Sequence, residues 1–285
     1  MSRRCMNTGM SQPTDECLGK SGLVPADEHP GIIEALDHIQ EAARDSKLSD
    51  EFWQKCKDNI DYLSGRLGLT RRQVVLVAIM CEVGESMSWR QIGEFLGLSR
   101  LKTMTLTPEI ENLRDRRWIY QCAAQEMSGC FQGFKLVYGV ITAFRHNQPF
   151  VPEKIEGLSL QAFVDRLVRY ARRECRDGNI STEENHRWML QLTEANTSLA
   201  LCETIMNLAD ESSRILLLMA VSDYARFTGE ENEGLTLNDI SAWLGEEDDF
   251  DDLTIALQEG SHELLRLGLL NHACQNGMVD TERYQ

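Results

Sequence analysis

Hydrophobic residues recur at helical spacing along most of the chain. Apolar side chains at positions 52, 56, 60 and 63 fall on one helical stripe, and the spacing over 32–43 and 50–67 predicts two amphipathic helices. Thr70 and Gln73 then have the form of a capping box, in which threonine accepts from the third helical amide and glutamine reaches back to the cap. They predict a largely buried helix from Arg71 to about residue 85.

A second capping signal, formed by Ser88 and Gln91, predicts a short helix that Gly97 can close. Another helix begins near Ser99, and a third helical stretch ends at Arg117. A helix, a short helix, a glycine turn and a further helix follow the plan of a helix-turn-helix unit.

Two short strands follow this helical unit in the hydrophobic pattern. Residues 118–124 and 131–135 predict a pair of strands around a turn at 126–129. Such a hairpin would form a wing beside the helices. We therefore predict a mainly α fold in which the first unit is winged-helix-like.

The same plan returns near the C-terminus. Residues 213–225 predict another apolar helix, and the segment 235–245 matches 87–97 position by position at a constant offset of 148. After a three-residue slip, Leu113 pairs with Leu264, and two further strands flank an Asn-Gly turn, a strong hairpin signal. The pattern predicts an internal duplication; the alternative is that two amphipathic bundles share this spacing by chance.

The repeat divides the chain into four segments. Residues 1–30 are rich in Ser, Gly, Pro and charge, which predicts a mobile tail. Residues 31–135 hold the N-terminal helices and the first winged-helix-like unit. Residues 136–208 predict a helical connector, with another capping box at Ser181 and Glu184. Residues 209–285 hold the second, acidic winged-helix-like unit.

The charge distribution sets these units apart. The whole chain carries a net charge of -16, which argues against a general nucleic-acid binder. However, residues 64–121 hold nine basic and six acidic residues, a balance of +3, whereas residues 209–285 hold four arginines and seventeen carboxylates, a balance of -13. The two units therefore cannot share one partner.

The first unit has candidate residues for DNA binding. Residues at the start of a recognition helix could reach a groove, and arginines near its end could hold phosphates. The candidates are Arg90, Arg100, Lys102, Arg114, Arg116 and Arg117. Three carboxylates on the same segment weaken the field, and Pro108 is expected to interrupt the helix. A solvated face in a protein-binding unit is the alternative, and the pattern slightly favours it.

In the second unit, a run of carboxylates stands where a recognition helix would begin. These residues would repel DNA, so we expect them to contact a protein partner or simply to be solvated. The candidates for partner binding are Glu246, Glu247, Asp248, Asp249, Asp251 and Asp252. Carboxylates at this position also suit the helix dipole, which leaves a purely structural role open.

No catalytic or metal-binding motif is apparent in the sequence. The six histidines form no metal motif, and neither a complete phosphate loop nor a G-x-S-x-G or H-E-x-x-H motif occurs. We expect neither enzymatic activity nor a cofactor. The apolar runs are too short to cross a membrane, and the N-terminus lacks the apolar stretch of a secretory signal. A cytoplasmic protein without membrane contact is the expectation.

A further set of segments follows a pattern found in a known family. These segments are 63–70, 73–83, 92–97, 140–152, 157–158 with Phe163, 239–240 and 268–270. Through them the chain resembles the N-terminal winged-helix-like region of Bacteroidetes-type AAA+ ATPases. The family's nucleotide chemistry would reside in downstream Walker motifs, and neither is present in this sequence. The resemblance therefore implies a regulatory or recruiting role, with an ATPase motor or another protein as partner. It leaves open whether this chain is a fragment of a longer ATPase or a truncated gene product.

Overall fold

The computed structural model describes residues 30–84, 86–122, 133–171, 180–226, 234–244, 250–275 and 278–285. This part of the chain is mainly helical, as predicted, with two small antiparallel sheets. The helices are α1 (Ile32–Ala43), α2 (Asp50–Lys55), α3 (Lys57–Leu67), α4 (Arg71–Val83), α5 (Trp89–Leu96), α6 (Arg100–Met104), α7 (Thr107–Asp115), α8 (Tyr138–Arg145), α9 (Leu160–Ala171), α10 (Thr182–Glu194), α11 (Ala200–Met206), α12 (Glu211–Arg226), α13 (Leu237–Leu244), α14 (Phe250–Gln258) and α15 (Glu263–Arg266). The strands are β1 (Met87–Ser88), β2 (Ile119–Gln121), β3 (Gly133–Leu136), β4 (Leu235–Thr236), β5 (His272–Gln275) and β6 (Met278–Tyr284). The tail prediction for residues 1–30 falls almost entirely outside the described residues.

The first helices form around the predicted apolar stripe. Phe52, Cys56, Ile60 and Leu63 are all buried. The run predicted as one helix over 50–67 is interrupted at Cys56, whose ψ of 6° is not helical, and so gives the separate helices α2 and α3. The hydrogen bonds of the turn nevertheless continue through Cys56, because its amide donates to Phe52 and its carbonyl accepts from Ile60.

Helix α4 begins and ends as its sequence predicts. The Thr70 hydroxyl accepts from the Gln73 amide at 3.2 Å, and the Gln73 side chain accepts from the Thr70 amide at 3.0 Å. Gly84, in the left-handed conformation, ends the helix. Because α4 is buried over most of its length, it is the central helix of the first core.

The element order that follows α4 is repeated after α12. In the first unit, β1 and α5 precede α6 and α7, and the sheet order is β1-β3-β2. In the second unit, β4 and α13 precede α14 and α15, and the sheet order is β4-β6-β5. Strand β4 and helix α13 start and end 148 residues after β1 and α5, the offset found in the sequence.

In both units, the helical stretch between the short helix and the hairpin is divided into two helices, α6 and α7 in the first unit and α14 and α15 in the second. In the first unit α6 ends at Met104, and α7 starts with Pro108 in its first turn, where the missing proline N–H removes no helical hydrogen bond. The predicted interruption at Pro108 is therefore confirmed. In the second unit Gly260, in the left-handed conformation, lies between α14 and α15. The turns predicted at 126–129 and at Asn276-Gly277 lie outside the described residues.

Two hydrophobic cores organise residues 32–284. The first is built from residues of α1 to α5, α7, α8 and the first sheet, and the second from residues of α9 to α15 and the second sheet. Strand β2 contributes to both, since Ile119 belongs to the first core and Tyr120 to the second. The helices of the predicted connector from α9 onward therefore share a core with the second unit.

Candidate functional site

The candidate recognition surface of the first unit is built by α5 and α6. Ser88 and Gln91 form the predicted capping box of α5, and Gly97 ends it in the left-handed conformation. Helix α6 then crosses α5 closely: a Cβ atom placed on Gly93 would lie 2.5 Å from Oγ1 of the buried Thr103. Glycine at position 93 thus permits the packing that fixes the direction of α6.

The outer face of α6 exposes two large apolar side chains. Leu101 is 78% exposed and Met104 is 60% exposed. Since they are three residues apart in a helix, they lie on the same face. Arg100 and Lys102, both exposed, flank Leu101 and form no ion pair with any residue the structure describes. The result is a small apolar surface bordered by positive charge.

Arg90 is exposed but already paired. Its Nε donates to Oε1 of Glu94, one turn later in α5, at 2.7 Å. This hydrogen bond raises the pKa of the guanidinium. A surface pair of this kind contributes little to stability, but it reduces the positive charge that Arg90 could offer to a phosphate.

Arg114 is buried inside the protein. Its Nε donates to Oε2 of Glu184 at 2.8 Å, and its Nη1 donates to Oε1 of Glu111 at 2.8 Å. Only 5% of Arg114 is exposed. This arginine, which the sequence pattern assigned to a phosphate, instead joins α7 to α10.

Arg117 and Arg116 also have internal roles. Arg117 is buried, its guanidinium donates to the hydroxyl of Tyr170 and the carbonyl of Trp188, and it lies over both aromatic rings. Arg116 donates to the Gly68 carbonyl at 2.9 Å and lies over the Trp118 ring. The assignment of these arginines to phosphates therefore needs correction, because their donors are directed at partners within the chain.

Glu184 departs from its predicted role in a capping box. Ser181 does accept from the Glu184 amide at 3.1 Å, so half of the box is present. The Glu184 carboxylate does not reach back to the cap; it accepts from Arg114 and from the amide of Gln121. Burial raises the pKa of Glu184, and the charge of Arg114 opposes that shift.

A second arginine strengthens the joint between α7 and α10. Arg187 donates to Oε2 of Glu111 at 2.8 Å and also contacts the carboxylate of Asp115. The two hydrogen-bonded carboxylates raise the pKa of Arg187 against the effect of its partial burial. The sequence pattern does not predict this network, because Arg187 and its two carboxylate partners lie more than 70 positions apart.

The candidate acidic surface of the second unit is described in part. Glu246, Glu247, Asp248 and Asp249 lie outside the described residues. Asp251 and Asp252 are exposed in the first turn of α14, and Ile255, on the next turn, is 51% exposed. Because the two aspartates precede Ile255 by four and three residues, all three share one helical face.

The side chains of Ser213, His262 and Asp210 lie together, but their contacts are those of helix caps. Nε2 of His262 lies 3.4 Å from the Ser213 hydroxyl, which donates to Asp210 at 2.9 Å. Nδ1 of His262 accepts from the Leu264 amide, which places the imidazole proton on Nε2, facing the serine. The histidine therefore cannot accept the serine proton in this arrangement, and Ser213 is fully buried. The cluster caps α12 and α15.

The ranges that the structure describes contain no group of three or more His, Cys, Asp or Glu side chains that could hold a metal ion. None of the helices in these ranges is both long enough and apolar enough to span a bilayer. Comparison with protein-family models, curated proteins and solved structures finds no match for the chain.

Proposed function

We propose that the chain is a non-catalytic recognition protein that docks a protein partner through the exposed face of α6. The observation that carries this proposal is the exposure of Leu101 and Met104 beside two basic residues that pair with nothing in the described chain. Burying such apolar side chains against a partner is favourable, by roughly 1.5–3 kcal/mol for each fully covered side chain. Basic residues at the border would favour an acidic partner.

The proposal treats both repeated units as winged-helix-like. Its support is the shared element order and the shared sheet order, in which the short first strand pairs with the last strand of the hairpin. In this arrangement α6 begins the helical stretch that follows the glycine turn. In winged-helix and helix-turn-helix proteins that stretch is the usual recognition element.

Photocrosslinking tests the proposal directly. A photoreactive amino acid at position 101 should crosslink to a specific protein in cells, and the same group at Val151, which is 79% exposed, serves as a matched control. Lys102→Glu should abolish the crosslink at 101 if the partner is acidic. Identical products from both positions, or no product from position 101, would overturn the proposal.

DNA binding through the first unit is the second candidate. Arg100 and Lys102 lie exposed at the start of the stretch that enters a groove in helix-turn-helix proteins. Since Arg114, Arg116 and Arg117 are committed internally, two phosphate contacts would give a slope of log affinity against log salt of about -1.8, rather than the about -3.6 expected for four. Fluorescence anisotropy on duplex DNA at about 50 and 200 mM salt tests this. Absence of salt-dependent binding would exclude DNA binding through the first unit.

We further propose that the chain recruits its docked partner to an AAA+ ATPase motor. The support is the sequence resemblance, in which ATP hydrolysis resides downstream of the recognition region. The test is to read the genomic frame beyond codon 285. A glycine-rich phosphate loop after an apolar strand would support the motor, and a frame without one would remove it from the proposal.

A further inference from the structure

We infer that α6 of one copy of this chain docks against α14 of a second copy. The inference rests on the proposed function, since it names the partner of the α6 surface. Its basis is that the chain itself carries a second exposed helix face with an apolar side chain and the opposite charge.

The two helix faces place opposite charges beside exposed apolar side chains. On α6, Arg100 and Leu101 precede Met104 by four and three residues. On α14, Asp251 and Asp252 precede Ile255 by the same spacings. Each face therefore has charged and apolar side chains on adjacent turns, with positive charge and two apolar side chains on α6 and negative charge and one apolar side chain on α14.

The surrounding charge favours the same pairing. Beside Leu101, the exposed Arg100 and Lys102 form no ion pair with any described residue, whereas residues 209–285 carry a balance of -13. Opposite potentials on two surfaces attract each other and set their orientation, whereas α14 would repel a second α14. The acidic partner that the α6 surface requires is thus present in every copy of the chain.

The pairing is intermolecular. Leu101 is 78% exposed and Ile255 is 51% exposed, so neither face covers the other within one chain. Two copies that exchange the contact reciprocally, α6 of each against α14 of the other, close as a two-fold dimer. A contact made in one direction only leads instead to rings or open filaments.

Sedimentation velocity over a concentration series tests the inference. The wild-type chain should form dimers or larger species at low salt and dissociate as salt is raised. Leu101→Glu and Ile255→Asp should each weaken self-association by roughly tenfold or more, because each replaces an apolar side chain of the contact by a carboxylate that would have to lose its water there. Val151→Glu, at an equally exposed apolar residue outside both faces, should associate like the wild type.

Mixing the two single variants makes the experiment decisive. The Ile255→Asp chain keeps an intact α6, and the Leu101→Glu chain keeps an intact α14, so a one-to-one mixture should form dimers. These dimers should not grow, since each of the two remaining faces has lost the apolar side chain that the contact needs. Circular dichroism of each variant checks that it remains folded.

Three outcomes would overturn the inference: a wild-type chain that is monomeric at all concentrations, self-association that both variants leave unchanged, or a mixture that stays monomeric. These outcomes are distinguishable from failure of the proposed function. If position 101 crosslinks to a different protein while the chain stays monomeric, the docking function stands and the second copy is excluded as the partner.

Discussion

Glu184, at the start of α10, accepts a hydrogen bond from Arg114 of α7 at 2.8 Å, and its side chain is completely buried. The same oxygen accepts from the amide of Gln121 in β2. One carboxylate therefore joins the helical stretch of the first unit, its sheet and the connector. Since β2 also contributes to both hydrophobic cores, this ion pair lies where the two cores meet.

Removing one member of this pair should be costly. Arg114→Met leaves Glu184 buried without its charged partner, and we expect the free energy of unfolding to fall by about 3–5 kcal/mol. Urea unfolding followed by helical circular dichroism measures this. The double variant Arg114→Met with Glu184→Leu should recover much of the loss, because no unpaired charge then remains buried.

Arg90→Met is the matched control for this cycle, since it removes an arginine from an exposed ion pair. We expect little change in stability for that variant. Equal losses for Arg90→Met and Arg114→Met, or no recovery in the double variant, would show that Arg114 and Glu184 do not stabilise the joint as a pair.

Local signals in the sequence predicted the local structure well. The boxes at Thr70 and Ser88 form as expected, because their partners lie three residues away and the signal is complete within one turn. The second unit contains a further capping box, which the sequence analysis did not predict. Thr236 accepts from the amide of Asp239, whose carboxylate accepts in return from the Thr236 amide, at the positions equivalent to the Ser88 box.

Long-range relationships were not predictable in the same way. Arg114 and Arg117 have the composition of a phosphate-binding patch, but they donate to residues of α9 and α10 that lie 53 to 71 positions away, so these contacts depend on how the two helices pack. Glu184 shows the same limit, since a complete local capping motif was overridden by a buried charge. The exposure of Leu101 and Met104 was likewise invisible, because helical spacing does not reveal which faces remain uncovered.

Glycine at position 93 should be required for the placement of α6. Gly93→Ala gains up to about 1 kcal/mol from helix propensity but overpacks the contact with Thr103, at a cost of about 1–3 kcal/mol. We expect a net loss of stability, measured by thermal or urea unfolding. Gly65→Ala, also within a helix but with nothing within 4 Å of the added methyl group, should instead be stabilising.

The double variant Gly93→Ala with Thr103→Ala separates crowding from other effects. It removes the hydroxyl that the new methyl group would meet, so stability should return towards that of Thr103→Ala alone. If Gly93→Ala were as stabilising as Gly65→Ala, the close crossing of α5 and α6 would be disproved.

Buried thiols should react slowly in the folded protein. Burial raises the pKa of Cys202 to about 11 and raises the pKa of Cys56, and both side chains are almost fully covered. At pH 8, about one Cys202 side chain in a thousand would be the reactive thiolate. Peptide mapping after iodoacetamide treatment should find both residues largely unmodified, with rapid labelling in urea. Labelling of Cys202 at equal rates in both conditions would contradict its burial.

His262 should make the second unit sensitive to mild acid. Burial lowers the pKa of His262, against the opposing effect of Asp210 and Glu263, so the unfolded chain binds a proton more readily than the folded one. The stability contributed by the neutral imidazole is therefore present above the unfolded pKa of about 6.5, and it is lost as pH falls from that value through the lower pKa of the folded protein.

The variant His262→Asn tests this dependence, because it retains an acceptor for the Leu264 amide at the cap of α15 but does not titrate. Unfolding midpoints measured between about pH 7.5 and 5.5 should fall more steeply for the wild type than for this variant. Parallel pH dependences would show that protonation of His262 does not contribute, whatever the absolute stability of the two proteins.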